Sequence, residues 1–181
     1  MDSGSLSPKQ LSDNGLKHYQ DGDYLAAQEE FSSAAAIYSA SGDVLSAAEI
    51  KNNLCLTLSK LGQNQAAWEI VENTDIIFAQ AGDTRRQAIA LGNQASVLDA
   101  LGKREQAIEK YQESADLFKQ IGDKENRVAV LQSLAQLQLK MGRQLESMAT
   151  MQAALNSKKQ LSLKERFLDK LLKIPTRFFN R

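Results

Sequence analysis

A chain of 181 residues with 43% apolar residues and two prolines has the length of one ordinary domain, and its composition favours a folded, largely helical chain over a disordered one. Formal net charge is zero, but residues 158–181 carry eight bases against two acids, +6, and the first 157 residues carry fourteen bases against twenty acids, −6. An acidic body with a basic tail points to an interaction segment at the C-terminus.

The predicted elements are helices punctuated by glycine. Gly22, Gly62, Gly102 and Gly142 stand 40 residues apart, and Gly42, Gly82 and Gly122 fall midway between them. A fixed period of this size marks a solenoid. The first seven residues read as a short flexible N-terminus. Ser7 is the expected N-cap of the first helix, with Pro8 at its first position and Gln10 three residues after the cap. Helices are expected near 8–21, 24–40, 44–61, 64–80, 84–101, 104–120, 124–141 and 144–157. Apolar residues recur at helical spacing, as in Ala107, Ile108, Tyr111, Ala115 and Phe118. Asp43, Asp83 and Asp123 follow the midway glycines, where a carboxylate can accept from the free amides of the next helix. The result is four helical hairpins over about 8–40, 44–80, 84–120 and 124–157, then a tail.

Alignment on the four turn glycines exposes a second regularity. Seven residues earlier lie Gly15, Cys55, Ala95 and Ala135, and five later lie Ala27, Ala67, Ala107 and Ser147, all small. Nine later lie the large Phe31, Val71, Tyr111 and Met151, and twelve later the small Ala34, Thr74, Ser114 and Ala154. Helices approach closely only where one presents a small side chain and a large neighbour fills the space beside it. This pattern resembles the tetratricopeptide repeat, in the longer 40-residue form of kinesin light chains and Pins-type adaptors. Residues 91–108, LGNQASVLDALGKREQAI, are the stretch most similar to that subclass. The chain departs from the usual repeat in closing on Gly-Asp where a proline is customary. The resemblance implies an all-α, right-handed superhelical solenoid that binds a protein or peptide segment in its concave groove and is not an enzyme.

The resemblance also places the groove. The position two residues before the small residue of each first helix is Asp13, Asn53, Asn93 and Ser133. An asparagine there is expected to clamp the backbone of an extended peptide, because an amide both donates and accepts. Other residues expected to line the groove are Asn52, Leu56, Ile89, Ser96, Asp99, Gln132 and Gln136, with Leu16, Tyr19 and Glu49. The lysine clamp of cochaperones is missing, since Ser12 stands at its first position.

The tail breaks the repeat. Ser162 and Glu165 make a capping box, and Leu163, Phe167, Leu168, Leu171, Leu172 and Ile174 form an apolar face beside Lys164, Arg166, Lys170 and Lys173. Pro175 is expected to end this helix, with Phe178 and Phe179 after it. Three readings stand open: a helix that caps the last hairpin, a basic amphipathic helix on an anionic membrane, and a docking helix for a protein. The membrane and partner readings draw on Lys164, Arg166, Phe167, Lys170, Leu171, Lys173, Phe178 and Phe179.

No catalytic constellation is visible. His18 is the only histidine, and Cys55, the only cysteine, occupies a packing position, so no disulfide can form within the chain. Neither a metal site nor a cofactor is expected, and outside the tail basic residues do not interleave with aromatics, which argues against nucleic acid as the partner. Residues 1–10 lack the apolar core of a signal peptide, and no stretch approaches the roughly 20 apolar residues of a membrane span. The expected location is the cytoplasm, with contact to a membrane periphery as the alternative. Self-association through an uncapped end of the solenoid stays open.

Overall fold

The computed structural model describes residues 6–158 and 162–178; the side chains of residue 163 and of 173–178 stand outside that description. Ten helices follow in order among the described residues: α1 Pro8–Asp21, α2 Tyr24–Ala40, α3 Val44–Lys60, α4 Asn64–Val71, α5 Thr74–Gln80, α6 Thr84–Ala100, α7 Arg104–Gln120, α8 Lys124–Lys140, α9 Gln144–Ser157 and α10 Leu163–Phe178. They form an all-α repeat solenoid. Helices α1, α3, α6 and α8 open the four hairpins; α2, the α4–α5 pair, α7 and α9 close them. Each opening helix packs on the closing helices that flank it in the chain, and α4 and α5 both lie against α3 and α6.

Local chemistry sets the ends. Ser7 and Gln10 form a reciprocal capping box at α1. Asp23, Asp43, Asp83 and Asp123 each accept a backbone amide three residues on, at 3.2, 3.1, 2.9 and 3.2 Å. The turn glycines take left-handed backbone; at Gly62, with φ +75°, the amide of Gln63 reaches back to the Leu58 carbonyl at 2.9 Å and closes α3.

The small–large alternation is the core. Cys55, Ala95, Ala27, Ala67, Ala107, Ala34 and Ser114 are fully enclosed, and Phe31 and Val71 fill the gaps beside them. Gly15 brings the ring of Phe31 so close that a Cβ there would meet two ring carbons at 2.8 Å. Met151, on the last hairpin, is only half-buried.

One helix departs from expectation. Residues 64–80 are not one helix but two, separated by a turn at Glu72 (φ −53°, ψ 132°) and Asn73 (φ 67°, ψ 3°). These angles describe a type II turn, whose third residue needs positive φ; asparagine bears that better than most side chains. The carbonyl of Val71 that the break leaves without a helical partner accepts from Thr74 Oγ1 at 2.8 Å and from Gln94 Nε2 at 3.0 Å. Gln94 is 1% exposed and also donates to Asp75 Oδ1 at 2.6 Å, while Lys110 approaches Asp75 Oδ2 at 3.4 Å. Buried backbone groups must be paired, and a glutamine from the next hairpin does it here.

The tail helix also runs further than expected. α10 continues through Pro175 to Phe178. Proline removes the one amide that would reach the carbonyl of residue 171, a local loss that bends or weakens a helix near its end without stopping it.

Candidate functional site

The repeat brings the helices that open each hairpin side by side, and hollows form along the line between them. One of about 250 Å³ is lined by Glu49, Asn52, Asn53, Phe78, Arg85, Arg86 and Ile89. A second of about 270 Å³ is lined by Leu56, Ile89, Gly92, Asn93, Ser96, Tyr111, Asn126 and Ser133, among others. Ile89 belongs to both and is 40% exposed, so it stands as an apolar ridge between them. A third hollow of about 440 Å³ takes in Gln132 with Lys124, Glu125, Val128, Ala129, Ser157 and Lys158. The wall positions advance by 40 residues per hollow, from Glu49 and Asn52 in the first through Ile89 and Gly92 in the second to Ala129 and Gln132 in the third.

The three asparagines have different roles. Asn53 is half-buried, and its side-chain amide has no hydrogen bond among the described residues. Its oxygen and both its N–H groups are therefore free for a ligand. Asn93 donates through Nδ2 to Asn52 Oδ1 at 3.0 Å, which fixes its plane and leaves its own oxygen open. Asn52 is 6% exposed and donates to the Ala48 carbonyl at 2.9 Å, so it holds Asn93 in place more than it faces the groove. Sequence reasoning grouped all three as groove residues; the cross-hairpin bond between Asn52 and Asn93 has no signal in either local segment.

Electrostatics around these hollows are mixed. Arg86 pairs with Glu49 at 3.2 Å and Asp83 at 3.5 Å, and Arg85 with Asp123 at 3.3 Å. Side-chain contact with Asn126 holds the Asp123 carboxyl below the ordinary carboxylate value, with the Asn126 amide and Arg85 adding to it. Asp99 is tied to Lys140 at 3.1 Å and Arg104 at 3.9 Å. Burial raises the Tyr111 phenol, against the opposing influence of the Ser96 and Ser133 hydroxyls. Leu56 is 37% exposed, and Gln132 and Gln136 are exposed. Arg85 and Arg86 were not singled out from sequence; their place at the first turn of α6, beside the Asp83 cap, is the signal that marks them.

Cys55 is enclosed, and burial pushes its thiol up to about 12, so it holds no thiolate near neutrality. No cluster of three metal-binding side chains occurs among the described residues.

At the other end, α10 lies against α9. Lys158 pairs with Glu165, Gln152 Nε2 donates to Asp169 Oδ1 at 2.6 Å, and Ser162 and Glu165 form the expected box. The Lys158 ammonium and the Ser162 amide hold the Glu165 carboxyl down to about 2. Lys164, Arg166, Phe167, Lys170 and Leu171 are exposed. Lys173 and Phe178 lie on the helix with their side chains outside the described residues, and Phe179 lies outside the described residues altogether.

No curated protein matches the sequence. The tetratricopeptide repeat family model matches residues 86–160. Among solved structures, a kinesin light chain-like protein of nearly identical TPR-like repeats from Podospora anserina is similar at TM-score 0.68 and 16% identity, covering 98% of this chain and 100% of that one. BtubC (BKLC) from P. vanneervenii is similar at TM-score 0.69 and 18% identity, covering 94% of this chain and 73% of that one. A tetratricopeptide repeat protein from Parabacteroides merdae is similar at TM-score 0.62 and 18% identity, covering 97% of this chain and 62% of that one. The 40-residue period, the small–large packing and these neighbours agree: the fold is a tetratricopeptide-type solenoid of the kind seen in kinesin light chain-like proteins.

Proposed function

We propose that this protein is a non-enzymatic scaffold that holds an extended protein segment in the groove between Asn53 and Asn93. Tetratricopeptide-type folds are generally interaction scaffolds, and a solenoid offers an extended surface for that purpose. The observation that carries the reading is the pair of amides: Asn53 unpartnered among the described residues and Asn93 held in plane by Asn52. Between them stands the exposed Ile89, with Leu56 beside it. Amides of this kind hold peptide backbone whatever the side chains, and the apolar ridge selects among them.

The test is selection of binders from a random-peptide display library against the intact chain, then calorimetric titration of the best peptide. The Asn53→Ala, Asn93→Ala double variant is expected to bind it at least about tenfold more weakly, the order expected for two lost hydrogen bonds. Ile89→Arg should weaken it again. Equal affinity in all three proteins would remove the groove as the binding site.

A further inference from the structure

The two sides of α10 are chemically opposite. Helical geometry turns about 100° per residue, which puts Glu165, Leu168, Asp169 and Leu172 on one side. That is the docked side: Glu165 meets Lys158, Asp169 meets Gln152, and Leu168 and Leu172 are half-buried. The remaining arc carries, in angular order, Arg166, Lys170, Phe167, Leu171 and Lys164, all exposed. Phe167 is 66% and Leu171 44% exposed. The only two acids of α10 both face α9, so its outward arc holds cations alone around two large apolar side chains.

Position in the stack explains why this arc is uncovered. The 40-residue period assigns residues 164–180 to the first helix of a fifth hairpin, and α10 begins one residue before that. In the hairpins before it, Tyr38, Phe78 and Phe118 occupy the position that the next helix roofs; in the fourth that position is Lys158. Phe78 and Phe118 are 1% and 2% exposed and Tyr38 is half-buried, whereas Lys158 turns its ammonium to Glu165. An ion pair replaces the aromatic plug. α10 therefore rests on its acidic flank and presents the rest.

We propose that the outer arc of α10 is a docking face for an anionic lipid surface. Cations at both edges of an apolar pair let the ring and the leucine enter the headgroup boundary while the ammonium and guanidinium groups stay at the phosphates. A protein partner would ask for a matching concavity with acids; a convex single helix with uniform positive edges matches a flat negative surface better. No helix among the described residues is long and apolar enough to cross a membrane, so the contact is peripheral. The acidic body follows behind the end of the stack, where screening over roughly 10 Å weakens its repulsion.

The test is co-sedimentation of the full chain with phosphatidylcholine vesicles, with and without phosphatidylserine, at low and high salt. The intact chain should bind only the anionic vesicles, and more weakly in high salt. Lys164→Glu with Lys170→Glu, and separately Phe167→Ser with Leu171→Ser, should each reduce binding at least about tenfold. These changes leave Glu165 and Asp169 in place, and circular dichroism checks the fold. Lys9→Glu with Lys17→Glu, on α1, should change nothing. The proposal fails if anionic vesicles bring down no protein at low salt, or if the α1 variant loses binding as the α10 variants do. It fails equally if the intact chain forms a lipid-independent dimer that the Phe167, Leu171 variant abolishes.

Discussion

Two glycines inside helices make a test of the packing rule, because alanine should act in opposite directions at them. Gly15 lies in α1 and Gly92 in α6. Alanine in a helix interior is worth about 1 kcal/mol over glycine, and both sites share that gain. A Cβ on Gly92 would meet Ser114 Oγ at 3.5 Å and Val130 Cγ2 at 3.7 Å, which is ordinary contact. A Cβ on Gly15 would fall 2.8 Å from two ring carbons of Phe31, a ring only 1% exposed and walled on every side. Overpacking of that kind costs about 1–3 kcal/mol. Gly92→Ala should therefore stabilise the chain by about 1 kcal/mol. Gly15→Ala should come out level or destabilised by up to about 2 kcal/mol, after the common gain is subtracted. The difference between the two variants isolates the clash. Urea unfolding followed by circular dichroism measures both, and a Gly15→Ala chain as stable as Gly92→Ala would refute the packing argument.

Other outcomes follow from single sites. Cys55, enclosed and with its thiol raised to about 12, should stay unmodified by a thiol reagent at pH 8 until denaturant is added; rapid labelling of the folded chain would contradict the burial. Asn73→Ala should destabilise by about 1 kcal/mol while Asn73→Gly is tolerated, because only the positive φ is at stake; a reversed order in thermal melts would count against the turn. Asp123→Ala should lose the α8 cap and about 1 kcal/mol. Because the folded carboxyl titrates below 3.8, that contribution is present above 3.8 and disappears as pH falls through the lower folded value, so parent and variant should converge in acid melts.

The hairpins are legible in the sequence because their determinants are local and repeated. A glycine that ends a helix, an aspartate that starts one and a small residue facing a large one all recur at a fixed period, and each acts within one or two turns. The break between α4 and α5 is different. Residues 64–80 keep both the length and the apolar spacing of the other second helices, so nothing in the segment announces a turn. The signal lies 23 residues away, where Gln94 stands at the position of Leu54 and Leu134. A polar residue at a core position that is leucine in both neighbouring hairpins marks a buried group to be satisfied, but not which one. The groove shows the same limit. Asn53 and Asn93 look alike on the page, and only the bond from Asn93 to Asn52 separates a fixed amide from an open one. At Pro175 the sequence signal is weaker than a full stop: proline costs one amide near the helix end, and α10 runs through it to Phe178.

The core divides into two main clusters, one running from Ala27 to Val71 and the other from Ala107 to Ala154, and both end on the same helix. Val97 belongs to the first while Ala95 and Leu98 belong to the second, and Trp68 touches both. α6 is thus the keystone of the molecule: neither half can melt without stripping one side of it. Stacked repeats ordinarily lose order from their ends inward, so the amides of α6 should be the last to exchange with solvent. The same helix carries Ile89 and Asn93, which seats the proposed recognition surface on the segment of the chain that opens least often.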